Sequence, residues 1–80
     1  MISNKSIVLG ILVKSKVGYF FGNEYPEDRF YILTEIKTID GYDHEYDMLV
    51  LYGLTEEQFV SVSRWHFDES IGNGVANIVV

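Results

Sequence analysis

Leu54-Thr55-Glu56-Glu57-Gln58-Phe59-Val60-Ser61-Val62-Ser63-Arg64-Trp65-His66-Phe67 is the stretch on which the fold class turns. Two periodicities compete in it. Thr55-Glu56-Glu57-Gln58 has the form of a capping box, in which the Thr side chain caps a helix and Gln58 reaches back to the first residue's N–H. Phe59, Val62 and Trp65 would then share one helical face. From Phe59 onward, however, the residues alternate with period two, and their β-branched and Ser content is a poor helix former. Phe59, Trp65 and Phe67 then lie on one strand face, with Ser61 and Ser63 between them. We read a strand over 58–67 preceded by one helical turn, with a short helix near 54–65 as the alternative.

Upstream of this stretch the pattern is plainer. Arg29 to Ile39 alternates, placing Phe30, Ile32, Thr34 and Ile36 on one side and Tyr31, Leu33, Glu35 and Lys37 on the other. Tyr46 to Tyr52 returns with Met48 and Val50 on one face and Leu49 and Leu51 on the other, and Gly53 ends it. Two such runs around a polar, Gly-containing connection predict a β-hairpin. Gly22 to Asp28 is dense in turn formers, and Pro26 keeps Tyr25 out of the helical region, so a loop is expected there. Val17 to Phe21 reads as a short strand. Ser6 to Ser15 is nearly continuous in apolar residues, as in a strand covered on both faces. Gly10 in its middle predicts a bend where another backbone comes close.

Downstream, Asp68 to Gly74 reads as a loop. The uncharged, β-prone tail Val75–Val80 is expected to pair with the first strand or with a second copy, because a bare uncharged edge invites aggregation. The expected fold is one mainly β domain over residues 1–80. It would be an antiparallel sheet or an SH3-like or OB-like barrel of five to six strands. A sheet carrying one packed helix is the second choice.

Composition narrows the functional classes. The 80 residues include no Cys, which removes disulfides and Cys-based zinc sites and suits a reducing, cytoplasmic setting. The apolar share of 48% argues against disorder. The run Ile7–Val13 is far short of the roughly 20 residues that span a bilayer, and no small-residue cleavage site follows it. The net charge of −6 is unevenly spread: residues 1–20 carry +3 and residues 21–80 carry −9. Such a chain is repelled by phosphate backbones and anionic membranes, so direct nucleic-acid and membrane binding are not expected. A basic protein is the natural complement.

Catalytic motifs are missing. Asp43, Glu45 and Asp47 stand at the spacing of the first EF-hand ligands, but Met48 replaces the required Gly and Leu54 the bidentate acid. His44 and His66 have no metal-ligand spacing, and no nucleophile elbow accompanies any Ser. No enzyme activity, cofactor or metal is expected.

The segment Asp40-Gly41-Tyr42-Asp43-His44-Glu45-Tyr46-Asp47 stands out instead, with four of the twelve acids. It reads as an anionic, aromatic hairpin loop. Tyr side chains beside charge are typical anchors of protein interfaces. The expected site is Tyr42, Asp43, Glu45, Tyr46 and Asp47, joined by Glu24, Tyr25, Glu27 and Asp28. The expected function is a non-enzymatic acidic module that engages a basic, nucleic-acid-binding type of protein, in the manner of a small phage inhibitor. A structural subunit that oligomerises through strand edges, for example as a homodimer, is the alternative.

Overall fold

The computed structural model describes residues 7–17 and 24–79, apart from the side chains of Val17 and Glu24. The elements are β1 (Leu12–Val17), β2 (Glu24–Asp40), β3 (Glu45–Gly53), β4 (Gln58–Ser63), α1 (Arg64–Gly72) and β5 (Ala76–Val79). All strand pairs are antiparallel, in the order β4-β3-β2-β1-β5. The chain is mainly β, as expected, and takes the form of a sheet with one helix rather than a barrel. Among the described residues β4 and β5 are its unpaired edges. The strand expected at Val17–Phe21 falls largely outside the described residues.

Alternation places one side of each strand inward. Val13 and Ser15 of β1, Tyr31 and Leu33 of β2, Leu49 and Leu51 of β3, Val62 of β4 and Ala76 of β5 are all buried. Helix α1 crosses this inner face, touching β3, β4 and β5, and inserts the fully buried Phe67. Ile71, one turn further on, packs against the same cluster.

The sequence expectation for 58–67 is corrected at Ser63. The strand stops there because the Ser63 hydroxyl accepts the His66 N–H at 3.1 Å and starts a helix. Arg64 and Asp68, four residues apart, pair at 3.0 Å on its surface. The loop expected over Asp68–Gly74 is therefore mostly helix. The capping-box reading of Thr55–Gln58 is also overturned. Those residues form the tight β3–β4 connection, with Glu57 at φ 58° and its N–H bonded to the Gly53 carbonyl at 2.8 Å.

Two further differences concern β1 and β2. The run Ile7–Val13 is broken by a turn at Leu9–Gly10, and the strand begins only at Leu12. Gly10 has φ 91°, and its N–H reaches the Leu33 carbonyl at 2.7 Å, which is the close backbone approach that its position predicted. Glu24–Asp28, expected as a loop, opens the 17-residue β2. Pro26 is tolerated because the ladder steps from Ser15↔Arg29 to Val17↔Glu24 around it. The tail pairs with β1 from Ser15↔Ala76 to Leu12↔Val79.

Candidate functional site

β2 and β3 together form a long hairpin that ends in the segment singled out above. Its last rungs are Thr38↔Asp47, Ile39↔Tyr46 and Asp40↔Glu45. Gly41 then turns the chain, its N–H bonded to the His44 carbonyl at 2.9 Å. A side chain at position 41 would meet that carbonyl oxygen at 2.5 Å and the Tyr46 ring at 3.2 Å. The tip thus depends on glycine for space, and the Tyr46 ring lies across it.

Tyr42 is 104% exposed at the tip, and Asp43, His44 and Glu45 are exposed around it. No ion pair holds Asp40, Asp43 or Glu45 among the described residues. Asp40 and Glu45 oppose each other directly, so two carboxylates face one another across the ladder. Like charges in that position are destabilising. Asp47 accepts a hydrogen bond from the Thr38 hydroxyl at 3.2 Å.

The pleat divides this group. Asp40, Glu45 and Asp47 fall on the side of the hairpin continuous with the inner face, whereas Tyr46 lies on the other side opposite Ile39. The acids and Tyr46 therefore flank the tip on opposite faces, with Tyr42 and Asp43 between them.

The second predicted group stands elsewhere. Glu24, Tyr25, Glu27 and Asp28 lie at the opposite end of β2, so the fold does not merge the two acidic segments into one surface. Tyr25 is covered by the Arg29 guanidinium, 3.7 Å above its ring. Asp28 stands 4.0 Å from the Lys14 ammonium. Glu27 is exposed, and the Glu24 side chain falls outside the described residues.

Sequence reasoning missed an ionic cluster beside this second group. Glu56, from the β3–β4 turn, pairs with Arg29 at 3.2 Å with only 11% of its side chain exposed. The buried Tyr31 donates its hydroxyl to the same Oε2 at 3.0 Å. The other oxygen, Oε1, is buried without a hydrogen-bond partner among the described residues. It packs on Gly53, where a Cβ would approach it to 2.8 Å. The clue in the sequence was Gly53 opposite Tyr31, but it is readable only once the register is known.

A cleft of about 450 Å³ lies between β1, β5 and the turn after α1, lined by Lys14, Lys16, Asp28, Asn73 and Asn77 among others. Among the described residues no three His or acidic side chains converge where they could hold a metal. No helix there is long and apolar enough to cross a membrane. Comparison with family models, with curated proteins and with solved structures finds no match.

Proposed function

We propose that this chain is a non-enzymatic binding module that engages a basic protein through the tip of the β2–β3 hairpin. The observation that carries the reading is the Asp40↔Glu45 rung, capped by Asp43 and a fully exposed Tyr42. Directly opposed carboxylates cost the free protein stability. A Lys/Arg-rich surface would relieve that repulsion, and Tyr42 would supply contact area that loses water on binding. The ladder holds the carboxylates on paired strands, so little of their order must be gained on binding. Glu24, Tyr25, Glu27 and Asp28 stand too far along β2 to join this contact. Tyr25 and Asp28 also already engage Arg29 and Lys14.

The test is charge reversal: Asp43→Lys, Glu45→Lys and Asp47→Lys together, with binding to purified basic nucleic-acid-binding proteins measured by calorimetry. The reading expects the parent chain to bind at least one of them in a salt-dependent way and the reversed variant to bind none. Equal affinity of the two chains would remove the hairpin tip as the site.

A further inference from the structure

The side of the sheet opposite α1 carries a line of apolar residues that crosses every strand. The ladder aligns Phe59 of β4 with Tyr52 of β3, Tyr52 with Ile32 of β2, Ile32 with Leu12 of β1, and Leu12 with Val79 of β5. Phe59 is 64% and Val79 37% exposed, and the three between them are half-buried. The Tyr52 and Phe59 rings meet edge to face at 4.9 Å. No described element covers this outer face. A monomeric domain has little reason to align apolar side chains over five strands and leave them wet.

Charge indicates what fits there. One rung from the apolar line, towards the hairpin tip, stands Glu35 opposite Val50, and the next carries Lys37 opposite Met48. On the other side of the line, Lys14 stands opposite Phe30, and Asp28 lies beside Lys14. The face is therefore balanced locally although the whole chain carries −6. A two-fold axis lying along the apolar line reverses the strand direction of the second copy. That operation sets the line against itself, brings Lys37 over the partner copy's Asp28, and brings Glu35 over its Lys14. It also sends the two acidic hairpins out at opposite ends, where they do not repel each other.

The size suits such a pairing. Five strands about 4.8 Å apart make a face about 24 Å wide, and a nine-residue strand such as β3 runs about 30 Å. The enclosed area of about 700 Å² is close to the about 800 Å² that each partner gives to a stable interface. We propose that the outer face is a homodimer interface in which two sheets pack face to face about a two-fold axis. It uses a surface separate from the hairpin tip and stands whether or not the tip binds a basic protein.

Sedimentation equilibrium over about a hundredfold range of concentration tests it. The parent chain should run as a dimer, and Phe59→Asp should weaken association by at least about tenfold while far-ultraviolet dichroism stays unchanged. Lys37→Glu should weaken the dimer, and Lys37→Glu combined with Asp28→Lys should restore it. Tyr42→Ala, at the tip, should leave it intact. A parent chain that is monomeric throughout would overturn the proposal. So would a dimer indifferent to Phe59→Asp but dissolved by Ser61→Pro on the β4 edge, because that pattern belongs to edge-to-edge pairing.

Discussion

Trp65 and Phe67 are the residues whose mutation best separates a helix at 64–72 from a strand continuing through 67. In a strand, side chains two apart share a face, so the two rings would be buried together and truncating either would cost a similar amount. In the helix they diverge: Phe67 is fully buried and Trp65 is 71% exposed. Phe→Ala at a buried site costs about 3–5 kcal/mol. A chain of this length has a total stability of about 4–12 kcal/mol at the usual ~0.05–0.15 per residue, so Phe67→Ala removes a large part of it. Trp65 has about 70 Å² out of water, given about 250 Å² for the whole side chain. At ~25 cal/mol per Å² its truncation costs at most about 1.8 kcal/mol, and less once residual burial in the unfolded chain is counted. Urea unfolding of Trp65→Ala and Phe67→Ala gives the comparison directly, with Phe67→Leu as a milder variant that stays folded. The expected order is a Phe67→Ala loss at least about twice that of Trp65→Ala. Equal losses, or a larger one at Trp65, would refute the helix and restore the strand.

Three other outcomes follow from particular contacts. Ser63→Ala should cost about 1 kcal/mol in urea unfolding by removing the cap on the His66 N–H, and Ser63→Asp should recover most of it. Asp40→Asn should raise the unfolding midpoint by about 0.2–1 kcal/mol at low salt, because it removes one of two opposed carboxylates. Added salt should shrink that gain, since the repulsion is between exposed groups. Tyr31→Phe should cost about 1.5–3 kcal/mol, the range for a hydrogen bond to a charged group.

The parts of the fold legible from sequence were those fixed by simple alternation. The hairpin of β2 and β3, its tip at Asp40–Asp47 and the inward Tyr31, Leu33, Leu49 and Leu51 all follow from period-two patterning. The reading of faces failed beyond Thr34. There the ladder shifts from Leu33↔Leu51 to Glu35↔Val50, so one extra residue turns Ile36 to the inner side and Glu35 to the outer. Nothing in the residues themselves announces that bulge. The helix was missed for a different reason. Phe59 to Phe67 keeps its alternation through the strand–helix boundary, and a single Ser hydroxyl decides where the backbone changes course. Helix formation here leans on burial of Phe67 and Ile71 rather than on propensity.

The candidate site was legible in part. Charge density and turn chemistry located the hairpin tip, because those signals are local. Separation of Glu24–Asp28 from the tip depends on β2 being a single long strand, which Pro26 obscured. The outer apolar line depends on the register of four strand pairings at once. Single-sequence alternation assigns residues to faces but does not align rungs across a sheet.

Titration of the isotope-labelled chain with a Lys/Arg-rich peptide, followed by backbone amide shifts, tests the functional reading most directly. The prediction is that shifts concentrate in Asp40–Asp47, vanish with added salt, and leave Glu24–Asp28 in place. Shifts centred on Glu24–Asp28, or none at the tip, would contradict it.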